Sequence, residues 1–138
     1  MSRLLVIVSA FVFVLCMPAR AWATETRLAI VVGNNGSSTL GRAELRYADD
    51  DAAKYASLFA GASRSEDDVE LIARFDADTT RLFPAQSKKA TPPTRAALDA
   101  AVARIAARAT AAQQRGEHVV FTFVFAGHGD VDNGRGFL

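Results

Sequence analysis

The chain has 138 residues, half of them apolar, and a formal charge of +1. That size suits one small globular domain. The near-neutral balance gives no electrostatic ground for a nucleic acid or an anionic membrane surface as partner.

Residues 1–23 read as a secretory signal peptide. Arg3 gives a positive start, Leu4 to Met17 is an apolar run, Pro18 breaks it, and Ala21-Trp22-Ala23 has the small-x-small form of a cleavage site. The run is too short for a membrane anchor, since a span needs about 20 apolar residues. The expectation is export, to a periplasm or the medium, with cleavage after Ala23 and no membrane span afterwards. Cleavage removes Arg3 and Arg20, so the formal charge becomes −1, and it removes Cys16, the only cysteine. Residues 24–138 then hold neither a disulfide nor a thiol nucleophile.

Arg27 to Gly33, RLAIVVG, predicts a buried strand that ends in the polar turn Asn34-Asn35-Gly36-Ser37-Ser38. A helix follows in LRYADDDAAKYASLFAG. Ala52, Tyr55, Ala56 and Phe59 recur at helical spacing, Leu58 widens the stripe, Asp49 or Asp50 can cap the start, and Gly61 can stop it. Val69 to Phe75 predicts a second strand. Asp76 to Pro93, with three prolines, predicts a surface insertion, with room for a short hairpin. Thr94 caps a long helix to Arg115 whose stripe is Leu98, Ala101, Val102, Ile105, Ala109 and Ala112, and Gly116 ends it. His118 to Ala126 is almost wholly apolar, β-branched or aromatic, and predicts a strand buried on both faces.

Strand, helix, strand, helix, strand implies an α/β fold, a three-layer sandwich around a mostly parallel sheet with right-handed crossovers. In spatial order 2-1-3 the two helices cover opposite faces, and the crossover direction reverses between the first and third strands. Open sheets place their ligand crevices beyond the carboxyl ends of strands at such a point. The loops there are the Asn34-Asn35 turn and Gly127-His128-Gly129-Asp130. An imidazole held between two glycines at that point is the first candidate for chemistry, because it can give or take a proton near neutral pH.

Its possible partners are few. Ser37 and Ser38 lie in the facing loop, but no Gly-x-Ser-x-Gly elbow supports a serine nucleophile. His118 stands at the opposite end of the same strand, about 30 Å away, so the two histidines cannot share a metal ion. Asp130-Val131-Asp132-Asn133-Gly134 misses the calcium-loop register and reads as a turn. No metal and no cofactor are expected. Gly33 to Gly36 lacks the third glycine and the lysine of a phosphate loop, which argues against a nucleotide-binding domain.

The segment Phe123-Val124-Phe125-Ala126-Gly127-His128-Gly129 resembles that of the caspase-like cysteine peptidases, the clan of caspases, metacaspases and their bacterial relatives. RLAIVVGNN is similar to that family's first strand and its Gly-x-Asn turn. Leu45-Arg46-Tyr47-Ala48-Asp49-Asp50-Asp51-Ala52 is similar to the opening of its first helix, and Thr94 with Leu98 to the start of its second. The resemblance implies that His128 activates a thiol and protonates the leaving amine, and that the Gly129 amide contributes to an oxyanion hole. It sets Asn34 and Asn35 on the substrate side, with a peptide or protein as substrate. By position, Asp51 matches an acid that lines the primary specificity pocket in metacaspase-like members and favours cleavage after Arg or Lys; it equally suits a helix N-terminal acid. Arg42 and Arg46 lie near the place of a caspase pocket arginine, at a spacing that does not match it.

In that family the cysteine ends the next strand, roughly 50 residues after the histidine. The expectation is therefore the N-terminal part of an exported Cys–His endopeptidase, truncated after the third main strand, with residues 24–138 a partial catalytic domain inactive alone. On that reading Phe137-Leu138 begins a further strand. The other reading is a non-catalytic binding or regulatory module with a caspase-like sheet.

Overall fold

The computed structural model describes residues 24–36, 42–132 and 135–137. The signal-peptide segment, Ser37, Ser38, Asn133, Gly134 and Leu138 lie outside the described residues.

Strand β1 (Glu25–Asn34) is followed by helix α1 (Ala48–Ala62), a 3-10 turn (Glu66–Asp68), β2 (Val69–Ala73), two short helices α2 (Ala77–Leu82) and α3 (Pro84–Ser87), the long helix α4 (Arg95–Gln114), β3 (His118–Gly127), and the short strands β4 (Asp130–Asp132) and β5 (Arg135–Phe137). The main sheet has order β2-β1-β3, all parallel, as the alternation predicts. β1 is central, so both its faces are covered. This accounts for an unbroken apolar run in place of strand alternation.

The two faces hold separate cores. Leu28, Ile30 and Val32 of β1 pack with Ile72, Ala101 and Ile105 against α4. Val31 packs with Leu71, Ala73, Ala52 and Ala56 against α1. Each fully buried large aliphatic here contributes about 1.5–3 kcal/mol. The alanines at both helix contacts let the helices lie close to the sheet.

Several expectations shift in detail. Gly61 does not stop α1, which runs through it to Ala62. The N-cap of α1 is Tyr47, whose side chain caps nothing, and neither Asp49 nor Asp50 holds that position. Residues 76–93 carry α2 and α3 in place of a loop or hairpin, because Asp76 accepts from the Thr79 amide at 2.8 Å and Pro84 sits in the first turn of α3. The segment then returns along β2. The Thr91 amide donates to Leu71 O at 3.0 Å, and the Ala73 amide to Thr91 O at 2.8 Å, which covers the outer edge of β2. Thr94 caps α4 as expected, accepting from the Ala97 amide at 3.1 Å, and Gly116 takes φ 75° just past its end.

The largest departure concerns β3. Phe121 and Phe123 are 52 % and 45 % exposed, and Val102 of α4 is exposed as well, so this strand is not buried on both faces. Among the described residues β3 pairs only with β1, and its outer edge is open. β5 does not extend the main sheet; it folds back antiparallel on β4, with Asp132 opposite Arg135.

Candidate functional site

β1 and β3 run in parallel register to their last residues, with Gly33 beside Ala126 and Asn34 beside Gly127. His128 therefore emerges one residue past the end of the sheet, next to the turn that follows β1. The topology places the imidazole where the sequence puts it.

Two glycines allow this geometry. A Cβ on Gly127 would lie 2.7 Å from Phe125 Cζ and 3.2 Å from Asn34 O. Its bare backbone lets the Phe125 ring fold under the strand end. A Cβ on Gly33 would lie 2.5 Å from Ala52 Cβ and 2.7 Å from Ala48 O, so this glycine admits the first turns of α1 against β1.

Residues 42–45 form a strap over the site. The Leu45 amide donates to Asn35 O at 2.8 Å. Ala43 O lies 3.0 Å from His128 Nε2, and Arg42 Nη1 donates to Gly129 O at 3.2 Å. A carbonyl oxygen can only accept, so Nε2 carries the ring proton and donates to Ala43. The lone pair of the neutral imidazole then sits on Nδ1, which is the basic nitrogen. The Arg42 contact fixes the plane of the peptide after Gly129, while no hydrogen bond is made by the Gly129 amide among the described residues.

Asn34 and Asn35 divide the labour. The Asn34 carboxamide accepts from the Gly36 amide at 3.1 Å and tightens the turn. Asn35 is committed to α1: its Oδ1 accepts from the Ala48 amide at 2.8 Å and the Asp49 amide at 3.3 Å, and its Nδ2 donates to Asp49 Oδ1 at 2.7 Å. It caps the helix from a loop thirteen residues upstream. Asp49 is fully buried and also accepts from the Asp50 amide at 3.0 Å and the Asp76 amide at 3.0 Å. Burial pushes this carboxyl up, but the donors from Asp76, Asn35, Thr79 and Asp50 outweigh it and hold the group below its usual range. Asp49 thereby ties the loops after β1 and β2 to α1.

Asp51 lies elsewhere. It is exposed on the first turn of α1, 3.5 Å from Lys54 Nζ, and lines neither of the clefts at the sheet end. His118 stands at the far end of β3, 3.8 Å from Glu25. No three His, Cys, Asp or Glu side chains gather as a metal site among the described residues.

Two clefts open at the carboxyl ends of the strands. One, of about 310 Å³, has His128 on its wall and an apolar floor of Val32, Ile72, Leu98, Phe123 and Phe125. The other, of about 490 Å³, lies between the ends of β1 and β2 and takes Asn35, Glu44, Arg46 and Arg74 into its wall. Asn34 lines both. Sequence reasoning places His128 and Asn34 at this end of the sheet, where the structure also has them. It misses Ala43, since any residue offers a carbonyl and only the folded strap places this one. It also misses Asp49, where three consecutive acids leave nothing to mark the buried one.

A family model of the caspase domain, peptidase family C14, matches residues 26–137. No curated protein and no solved structure matches the chain.

Proposed function

This chain belongs to the caspase domain family of peptidases, and from that membership we propose that it supplies the histidine of a Cys–His endopeptidase acting on protein substrates. The observation that carries the reading is the His128 hydrogen bond to Ala43 O. It orients the ring and leaves Nδ1 to take a proton from a thiol and to return it to the leaving amine. The Gly129 amide, its neighbouring peptide held by Arg42, is the donor for the oxyanion. Cys16, the only cysteine of the sequence, lies in the apolar segment that on this reading directs export and is removed after Ala23. The nucleophile accordingly comes from polypeptide outside this sequence. Among the described residues no helix is long and apolar enough to cross a membrane.

The test uses the natural gene product that contains this sequence and a set of fluorogenic peptides. Hydrolysis should be blocked by thiol alkylation and lowered by about 10²–10⁴-fold in His128→Ala. Hydrolysis indifferent to both treatments overturns the reading. Peptide binding without hydrolysis returns the chain to a non-catalytic module.

A further inference from the structure

Asp49 is fully buried at the start of α1, lines neither cleft, and takes no part in the chemistry above. Its carboxylate meets donors from three segments. These are Asn35 Nδ2 at 2.7 Å in the turn after β1, the Asp50 amide at 3.0 Å in α1, and the Asp76 amide at 3.0 Å after β2. A carboxylate accepts at both oxygens, and a carboxamide does so at only one atom.

The strap over His128 has no such anchorage of its own. None of residues 42–47 is buried, so its position depends on hydrogen bonds. Among the described residues, those that join it to the turn after β1 come from Asn35 alone. The Asn35 carbonyl accepts from the Leu45 amide at 2.8 Å, two residues from Ala43. The Asn35 carboxamide accepts from the Ala48 and Asp49 amides, at 2.8 and 3.3 Å, where the strap has entered α1. One residue thus clasps the segment at two points.

Asp49 holds that clasp. The two ends of a carboxamide are nearly equal in shape. An acceptor opposite Nδ2 and two amides opposite Oδ1 leave Asn35 one orientation. The contacts then run from Asp49 through Asn35 and Leu45 to Ala43 O, 3.0 Å from His128 Nε2.

We propose that Asp49 is a positioning residue for His128, acting through Asn35 and the strap. It sets where Ala43 O stands, and so which way the imidazole faces. The proposal takes its reaction from the peptidase reading, but the contacts themselves are read without hydrolysis.

The test uses the natural gene product that contains this sequence. Asp49→Asn should speed hydrogen exchange of the Leu45 amide and of His128 Nε2–H by about tenfold, read by nitrogen-15 NMR at neutral pH. On the fluorogenic peptides kcat should fall by about 10–10²-fold with KM nearly unchanged. Asn35→Ala leaves Asp49 two of its donors and should show the same pattern, which keeps the proposal testable where Asp49→Asn fails to fold. Glu117→Gln lowers stability at the opposite end of the sheet and should change neither the exchange at these two sites nor kcat. The reciprocal swap, Asn35→Asp with Asp49→Asn, again sets one donor against one acceptor and should recover much of the loss that each single change causes. Unchanged exchange at Leu45 and His128 in folded Asp49→Asn or Asn35→Ala overturns the proposal. A fall in kcat that Glu117→Gln matches, or a swap no better than the worse single variant, also overturns it. Faster exchange at both sites in variants of a product that hydrolyses no peptide supports the positioning and counts against the peptidase reading alone. Hydrolysis that keeps its kcat in both single variants counts against the positioning alone.

Discussion

At the scale of single residues, the site is built from backbone as much as from side chains. His128 is held by a carbonyl, so its tautomer is a structural prediction. Nitrogen-15 NMR of labelled protein at neutral pH should show His128 with its proton on Nε2 and a free lone pair on Nδ1; the opposite tautomer would remove the general-base assignment. Gly127 has no room for a methyl group, because Phe125 Cζ would be 2.7 Å away. Gly127→Ala should cost about 1–3 kcal/mol in urea unfolding and displace the imidazole, and a variant as stable as the parent would show that Phe125 can move aside at no cost. His128 is visible in the sequence because two glycines after an apolar run are rare and have a physical use. The Ala43 carbonyl leaves no such trace.

At the scale of elements, the strands and long helices follow from periodicity, while their ends depend on groups far away in sequence. Thr94 precedes α4 and caps it, a local relation that the spacing reveals. Thr94→Ala should cost about 1 kcal/mol. The start of α1 is different. Its free amides are met by Asn35, and Asn35 is held by Asp49, which also accepts from Asp76 in the loop after β2. No rule about neighbouring residues can find a cap that arrives through space, which is why an acid of the first turn looks sufficient from the sequence alone. Asp49→Asn keeps the volume but turns an acceptor into a donor facing backbone amides. It should cost about 1.5–3 kcal/mol in denaturant unfolding, a larger loss than Asp51→Asn on the exposed side of the same turn. Equal losses would mean that the buried network does not organise the site loops. The exposure of β3 marks the other limit of periodicity. An apolar run shows that a strand wants cover on both faces, but it does not say which residues supply it. Among the described residues α1 packs on one face of β3 and α4 covers the other only in part, and Phe121 and Phe123 remain half exposed.

At the scale of the whole molecule, the sheet has a chemical end and a structural end. The carboxyl ends of the strands carry the strap, the imidazole and the clefts. The amino ends are joined through Glu117. Its carboxylate meets Arg115 Nε at 2.8 Å, Arg115 Nη2 at 3.2 Å and Arg64 Nη1 at 3.5 Å, and it accepts from the Thr26 hydroxyl. One side chain thus links Arg64 in the segment after α1, Arg115 directly after α4, Thr26 of β1 and the start of β3. The Arg115 and Thr26 hydrogen bonds hold its pKa at about 2, below the ordinary 4.5. Between those values the unfolded chain binds a proton that the folded chain refuses. The contribution of Glu117 is therefore complete above pH 4.5 and is lost progressively as the pH falls toward 2. Asp49 acts in the same direction, so the test is a comparison and not a single curve. Urea midpoints of the parent chain should fall across this window, and those of Glu117→Gln should start lower at neutral pH and fall less. Parallel curves would show that the four segments are held together by their apolar contacts alone, with the ion cluster contributing nothing to the closure of the sheet end opposite His128.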